Sequence, residues 1–392
     1  MAESVVILSA SRTPIGSFQG AFADTPAPQL GASAIQAALQ NAKLAAENIQ
    51  ACIMGQVLTA GCGQAPARQA ALKAGLGIST DCLTVNKVCS SGLKAVMLAT
   101  DSLRLGQYEF VVAGGQENMS LAPHLLEKSR AGYRMGPITA TDSMVKDGLW
   151  DPYKDFHMGK AGELCSKEYK IGREEQDAFA VESYKRAQSA QAAGAFKAEI
   201  SGVSVVAGKT TTLVSEDEEP GKAKFDKMPL LKPAFDPQGV ITAANASKVN
   251  DGAAALVLTT ESKAKSAGLR PLARVVTHAT HSQAPEWFTT APLGAIQRLL
   301  QNAQLKAEQI DLWEINEAFS VVPLVAMKQL RLDPKRINVN GGAVALGHPI
   351  GASGARILTT LIHALHARQA RFGVASLCNG GGEATALLVE RL

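Results

Sequence analysis

The chain has 392 residues, of which 46% are hydrophobic and 5% aromatic, and 39 Lys and Arg against 35 Asp and Glu give a formal net charge of +4. This length suffices for two or three domains with full cores, which excludes a largely disordered protein. No basic block is denser than Lys-Ala-Lys at 222–224, so nucleic acid and anionic lipid are excluded as partners. Apolar runs such as 5–8 are too short to cross a membrane, and no signal-like segment is evident, so we expect a cytoplasmic protein.

Short apolar runs alternate with segments of helical periodicity along the chain. The run at 5–10 is rich in β-branched residues and ends before Thr-Pro, which predicts a strand buried on both faces. Apolar residues that recur every three or four positions predict amphipathic helices over 29–43 and 293–303. Further strands are predicted at 110–113, 256–259 and 373–377. This alternation indicates a layered α/β protein.

The middle of the chain, from about 120 to 245, has a different composition. It holds more charge, more Pro and Gly, and an acidic run at 216–219, which predicts an inserted, loop-rich region between two α/β halves.

A weak internal repeat relates these two halves. Ser-Gly-Leu-Lys at 91–94 opens a predicted helix to 105 and then a strand at 109–115, whereas Ser-Gly-Ala-Arg at 353–356 opens a helix to 367 and then a strand and glycine run at 372–382. Two copies of one unit would bring both glycine-rich ends to a common seam. The same order also recurs in α/β proteins without duplication.

Six cysteines (Cys52, Cys62, Cys82, Cys89, Cys165 and Cys378) lie apart without a Cys-x-x-Cys pair, which predicts reduced thiols. Cys89 follows a strand-like segment at 83–88 and precedes the helix at 91. A sulfur at a helix N-terminus is favoured as thiolate, the nucleophilic form, by free backbone N–H groups and the helix dipole. Taken alone, the position fits a structural thiol equally well.

His348 is the best candidate for a general base among seven histidines. It lies between Gly347 and Pro349 in a segment, 341–354, whose five glycines allow close approach of a substrate, whereas His363 and His366 fall in a predicted helix.

Two further candidates follow predicted strands. Cys378 precedes three glycines, and an apolar setting would raise its pKa and make it a thiol that gives and takes a proton. The backbone N–H of Gly380 is free to donate to an oxyanion. Asn316 could hold a water or a carbonyl oxygen, although a buried Asn also often serves only the backbone. Together these residues suit acyl transfer.

The sequence resembles the thiolase family over essentially its whole length, and within it the short-chain acetyl-CoA acetyltransferases. The resemblance rests on 11–23, the context of Cys89, 112–120, His-Met-Gly at 157–159, 242–255, Asn-Glu-Ala-Phe at 316–319, 347–356 and Cys-Asn-Gly-Gly-Gly at 378–382. It implies a thiolase fold with two duplicated α/β/α/β/α layered halves and an inserted loop domain. We expect an N-terminal half at 1–119 plus 246–270, a loop domain at 120–245 that binds coenzyme A and supports oligomerisation, and a C-terminal half at 271–392.

The resemblance also implies roles for the candidate residues. Cys89 would be acylated by acetyl-CoA after His348 deprotonates it, and Cys378 would remove the α-proton of a second acetyl-CoA to give acetoacetyl-CoA and coenzyme A. His348 with a water on Asn316 would form one oxyanion hole, and the backbone N–H groups of Cys89 and Gly380 the other.

Further binding residues follow from the same resemblance, with no covalently bound cofactor. Coenzyme A would contact Ser247, His157, Met158, Lys222, Lys227 and Phe319, although loop lysines are often only solvated. Met158 would narrow the acyl pocket. Asn379 in the Cys-Asn motif is typical of a potassium-responsive subclass, whose ligands would be Tyr184 and the carbonyls of Ala243, Ala244, Ala246 and Val344. The alternative is a Tyr184 that only packs against a loop.

Three departures from the family pattern concern Ser90, where Gly or Ala is usual, and the segments 162–164 and 287–292. The two segments border the expected substrate cleft, so they affect the preferred length of the acyl chain rather than the catalytic chemistry. A homotetramer is expected from the family. The alternatives are a broad-chain 3-ketoacyl-CoA thiolase of fatty-acid degradation and a non-catalytic acyl-CoA or lipid carrier.

Overall fold

A computed structural model describes residues 3–392 of the chain. Its strands are β1 (Val5–Arg12), β2 (Gly16–Ser17), β3 (Ala51–Gly55), β4 (Asp81–Val85), β5 (Phe110–Asn118), β6 (His124–Leu125), β7 (Thr141–Asp142), β8 (Trp150–Asp151), β9 (Phe156–His157), β10 (Val203–Ala207), β11 (Thr210–Val214), β12 (Asn250–Thr260), β13 (Ala273–Ser282), β14 (Leu312–Ile315), β15 (Phe372–Asn379) and β16 (Glu383–Arg391). Its α-helices are α1 (Ala27–Ala42), α2 (Pro66–Lys73), α3 (Ser91–Arg104), α4 (Met158–Glu168), α5 (Arg173–Ala192), α6 (Glu261–Ser266), α7 (Ala291–Ala303), α8 (Val321–Leu330), α9 (Ala343–Leu346) and α10 (Ser353–Ala367).

The principal sheet shows the duplication directly. Its strand order is β14-β15-β16-β13-β1-β12-β5-β3-β4, with β2 beside β12. Outward from β1, the sheet continues through β12 and β5 in antiparallel pairings and then through β3 and β4 in parallel pairings. Outward from β13, the sheet continues through β16 and β15 in antiparallel pairings and then to β14 in a parallel pairing, and β14 forms a single parallel bridge to Ile337. The predicted duplicated α/β fold is therefore confirmed.

The halves also share a detail of register. The pairing of β1 with β12 shifts between Ile7 and Ser9, and that of β13 with β16 shifts between Val275 and Thr277. A bulge at the same place in both copies is a property of the repeated unit. The halves join where the first residues of β1 pair antiparallel with β13.

Helices α3 and α10 form the layer between the two halves. Both are buried on most of their surface, and their apolar side chains share one cluster with the strands of both halves. The helices approach closely at equivalent glycines: a Cβ at Gly92 would lie 2.8 Å from the backbone N of Ala355, and a Cβ at Gly354 would lie 2.2 Å from that of Leu93. The small-residue starts of the two repeats are therefore needed for this contact.

The inserted region contains α4, α5 and three two-stranded sheets, β6-β7, β8-β9 and β10-β11. Arg12 of β1 anchors it to the N-terminal half, because its buried guanidinium binds Asp217 at 2.7 and 2.9 Å and Glu199 at 2.6 Å. The predicted domain limits at 119/120, 245/246 and 270/271 stay predictions. Among the described residues, every helix is too short or too polar to cross a membrane.

Replacing Gly354 tests the helix contact. Gly354→Ala should lower the free energy of unfolding by about 1–3 kcal/mol, because the added methyl overlaps the backbone of Leu93. Gly221→Ala is the matched control, since a Cβ there meets nothing within 4 Å. Urea denaturation of both variants measures the difference, and equal midpoints for Gly354→Ala and the native chain would contradict the proposed close packing.

Candidate active site

Cys89 lies in a strained turn between β4 and α3. The preceding residue, Val88, has φ of +48°, a left-handed conformation that is unfavourable for a β-branched residue. The Ser91 hydroxyl donates to the Val88 carbonyl at 2.6 Å and accepts from the backbone N–H of Lys87 at 2.8 Å. These bonds hold the turn, and they explain why β4 ends at Val85 rather than continuing to 88 as predicted.

The sulfur of Cys89 is surrounded by backbone donors. The N–H groups of Gly380 and of Cys89 itself point to it, yet burial outweighs them and raises the pKa of the thiol to about 12, with the charge of Glu117 acting in the same direction. The helix N-terminus and these donors favour the thiolate, but burial has the larger effect. Cys89 is a thiol that needs a base, and the two N–H groups are placed to bind an oxyanion formed beside the sulfur.

The orientation of His348 makes one ring nitrogen a free base. Ser353 donates its hydroxyl to the Pro349 carbonyl at 2.8 Å, so the 2.6 Å contact between Ser353 Oγ and Nδ1 of His348 has Nδ1–H as donor. Nε2 then carries the lone pair, and it is buried without a partner. Burial lowers the pKa of His348 to about 3, helped by the charge of Arg356, so the imidazole is neutral and able to accept a proton.

Asn316 and Cys378 lie on adjacent strand ends. The backbone N–H of Asn316 donates to the Ser376 carbonyl at 2.9 Å, while both polar atoms of its buried side chain lack a partner. Such orphaned groups indicate a site for a water or substrate. Cys378 is fully buried on β15, and burial together with the nearby Cys89 raises its pKa well above the ordinary value for a thiol.

The predicted coenzyme A residues fall into two groups, of which the first borders the catalytic cysteines. Met158, Phe319 and Cys378 share one apolar cluster, and a Cβ at Gly380 would lie 3.6 Å from Sδ of Met158. Ser247 is joined to the strand end after Asn316, because its N–H donates to the Ala318 carbonyl at 3.0 Å.

An aromatic row extends from this cluster to His157. The His157 ring stacks on Phe235 with centroids 4.7 Å apart, and Phe235 meets Phe319 edge-on at 6.0 Å. No motif in the sequence singles out Phe235, which lies on a Pro-rich loop. A Cβ at Gly159 would overlap its ring, which explains the glycine of His-Met-Gly.

Comparison with known proteins agrees with this geometry. Residues 5–262 match the thiolase N-terminal domain and residues 269–391 the thiolase C-terminal domain. The chain belongs to the thiolase family.

Its relatives cover it from end to end. An acetyl-CoA acetyltransferase of Cupriavidus necator is 52% identical, over 99% of both chains. Acetyl-CoA acetyltransferase B, mitochondrial, of Xenopus laevis is 51% identical over 99% of this chain and 92% of its own. The crystal structure of Acat5 thiolase from Ascaris suum in complex with coenzyme A superposes with a TM-score of 0.95 at 44% identity, covering 100% of both chains.

The second group of coenzyme A candidates in this thiolase consists of two lysines of the inserted region. Lys222 lies at the end of a short 3-10 helix, and its ammonium donates a hydrogen bond to the hydroxyl of Ser17. Lys227 is exposed on the next 3-10 helix, Phe225–Leu230. The role of both lysines in binding coenzyme A stays a prediction.

Another cation, the ammonium of Lys248, contacts two of the five predicted potassium ligands. Tyr184, Ala244 and Val344 share an apolar cluster. The ammonium of Lys248 donates to the Ala243 carbonyl at 2.6 Å and lies 3.4 Å from that of Ala246. A potassium ion does not fit beside this ammonium, because two cations would share the same carbonyl oxygens. No step of the reaction is therefore assigned to potassium.

Two residues that were unusual for the family form a pair. The Ser90 hydroxyl donates to Oδ1 of Asn379 at 2.8 Å and accepts from Thr385 at 3.0 Å, with all three residues buried. The bond ties the turn of Cys89 to the strand end of Cys378. Asn379 thus has a structural role that needs no potassium, and pairing across 289 residues is invisible to local sequence patterns.

Glu117 is a further group that the sequence did not single out. Its buried carboxylate accepts from the N–H groups of Val57, Leu58 and Gly351, and so joins β5 to the segment that follows His348. Burial raises the pKa of Glu117 to about 7, partly offset by these donors.

Removing the hydroxyl of Ser353 tests the tautomer of His348. Ser353→Ala should lower kcat by about 10- to 100-fold, because Nδ1 loses the acceptor that keeps the proton off Nε2. Ser9→Ala is the control, since Ser9 is equally buried and bonds only the Ala38 carbonyl. Steady-state thiolysis and thermal melting of both variants measure the effect; an unchanged kcat in Ser353→Ala would contradict the assignment.

Proposed function

We propose that this thiolase is an acetyl-CoA acetyltransferase, which condenses two acetyl-CoA to acetoacetyl-CoA and coenzyme A and also catalyses the reverse thiolysis. The observation that carries the proposal is the half-buried thiol of Cys89, which lies under two backbone donors and near Cys378. It packs with Ile350, two residues after His348, whose Nε2 lacks a partner, and the partnerless amide of Asn316 lies on the strand end next to that of Cys378. Relatives at about half identity over the full length bear that name, which gives no support to the broad-chain alternative.

The acylation half-reaction begins with neutral groups. Nε2 of His348 accepts the proton of Cys89, and the sulfur attacks the carbonyl of acetyl-CoA while the N–H groups of Cys89 and Gly380 bind the oxyanion. The C–S bond to coenzyme A then breaks. The leaving thiolate accepts the proton of Cys378, so free coenzyme A departs, and acetyl-Cys89, protonated His348 and the Cys378 thiolate remain.

The condensation half-reaction returns every proton. The Cys378 thiolate removes an α-proton from a second acetyl-CoA, and the enolate oxygen binds Nε2–H of His348 and a water held by Asn316. The carbanion attacks acetyl-Cys89, the C–S bond breaks, and the Cys89 thiolate takes the proton of His348. Burial disfavours the thiolate and the imidazolium when each is alone, and disfavours them less when they form an ion pair. The two charges therefore arise together and exist only during the catalytic cycle.

Two cysteine variants separate the half-reactions. Cys89→Ala should lose turnover by at least ~1,000-fold and form no acetyl-enzyme with acetyl-CoA, whereas Cys378→Ser should still acquire the acetyl group but not condense. Intact-protein mass spectrometry detects the acetyl group, and rates on acetoacetyl-CoA and 3-ketooctanoyl-CoA test chain length. Normal turnover in Cys378→Ser would refute its role. Comparable rates on both substrates would favour the broad-chain alternative, and no activity on either would favour the carrier.

Exposed apolar side chains support association into a homotetramer. Strand β4 lies at the end of the sheet beside the exposed Ile78 and Leu83, which suits pairing of the N-terminal halves into a dimer. Within the inserted region, the segment 121–138 exposes five large apolar residues that suit contact between dimers: Leu121, Leu126, Tyr133, Met135 and Ile138. The cytoplasmic location stays a prediction, since one relative is named mitochondrial.

Positive charge introduced into the inserted region should dissociate the tetramer into dimers. The double variant Met135→Lys with Ile138→Lys should shift the particle from tetramer to dimer, because the lysines would be desolvated at the contact. Leu105→Lys, at an equally exposed apolar residue elsewhere, should remain tetrameric. Light scattering after size exclusion gives the masses; a native chain that is already dimeric would contradict the proposal.

A further inference from the structure

Lys248 directs its ammonium into the loop that the family resemblance assigned to a potassium ion. Nζ bonds the Ala243 carbonyl at 2.6 Å, lies 3.4 Å from the Ala246 carbonyl, and stands 5.7 Å from the ring centroid of Tyr184. Main-chain oxygens and an aromatic face are the groups that bind a cation in a partly desolvated position.

The carbonyl oxygens of this loop suit one cation and not two. The Lys248 ammonium already contacts the Ala243 and Ala246 carbonyls, and the charge of the buried Glu219 acts on it. A potassium ion on the same oxygens would lie within a few ångströms of this ammonium and would be repelled by it.

The loop held by Lys248 leads directly to the active site. The N–H of Ser247 donates to the Ala318 carbonyl at 3.0 Å, and the N–H of Ser320 donates to the Asn245 carbonyl at 2.8 Å. These bonds enclose Phe319 and follow the strand end that carries Asn316. A displacement of the loop would therefore move Ser247 and Phe319 relative to the catalytic residues.

We propose that the Lys248 ammonium is a covalently attached substitute for a monovalent cation, which positions the 243–247 loop and makes this thiolase independent of potassium. Lys248 is thus a positioning residue, acting on coenzyme A binding through Ser247 and Phe319. The inference rests on the proposed acetyl transfer only for its kinetic readout.

The test compares potassium with choline at constant ionic strength. All assays are run at one pH, pH 7. The native enzyme should thiolyse acetoacetyl-CoA at the same rate in both chloride salts. Lys248→Thr in choline should show a KM for coenzyme A raised roughly tenfold by loss of the charge-assisted bonds, and potassium should restore it.

Thermal melting supplies a readout that does not depend on activity. Potassium should raise the melting temperature of Lys248→Thr relative to choline, with no difference for the native protein or for Lys248→Arg. Lys263→Thr is the matched control, because Lys263 also stands 5.7 Å over an aromatic ring, that of Phe110, but away from the site. It should behave like the native protein in both salts.

Several outcomes would overturn the proposal. They are activation of the native enzyme by potassium, an unchanged KM and melting temperature in Lys248→Thr, or a defect in that variant that potassium does not repair, including failure to fold in either salt. Failure of the proposed acetyl transfer would appear instead as a native protein inactive on acetoacetyl-CoA, while the melting comparison would still decide the role of Lys248.

Discussion

The close approach of helices α3 and α10 at Gly92 and Gly354 is the constraint on which the active site depends. Each helix begins with the same small-residue turn in its half, and the contact brings the two starts together. Cys89 precedes one helix and His348 precedes the other, so the proposed nucleophile and the proposed base come from different copies of the duplicated unit. A bulkier residue at either glycine would move the two halves apart, and would move Cys89 away from His348.

Much of this arrangement is encoded locally and could be predicted. The helix at 353–367 matches α10 because apolar periodicity and its small-residue start mark both ends, and the shared order of turn, helix and strand revealed the duplication. The strand before Cys89 was predicted too long, since the left-handed Val88 is imposed by bonds of Ser91 rather than by strand propensity. The roles of Lys248, of Ser353 and of the pair Ser90–Asn379 depend on tertiary contacts.

The electrostatics of the site favour a neutral resting state. A helix N-terminus alone would promote thiolate at Cys89, but burial has the larger effect and keeps the proton on sulfur, while the same burial keeps the imidazole of His348 uncharged. Charge then arises only when substrate is present to receive it, and the backbone donors at Cys89 and Gly380 are already oriented for it. Preorganised donors of this kind need no rearrangement during the reaction.

The raised pKa values of Cys89 and Cys378 have a further consequence for survival of the enzyme in the cell. Thiolates attack peroxides to give sulfenic acids, and a sulfenic acid condenses with a second thiol to a disulfide. Cys89 and Cys378 lie near enough for the charge of one to act on the other, so a thiolate at either position is open to this oxidation. Because burial keeps both sulfurs protonated between turnovers, the resting enzyme resists this oxidation, and its vulnerable moments are confined to the steps in which a thiolate is engaged with an acyl group.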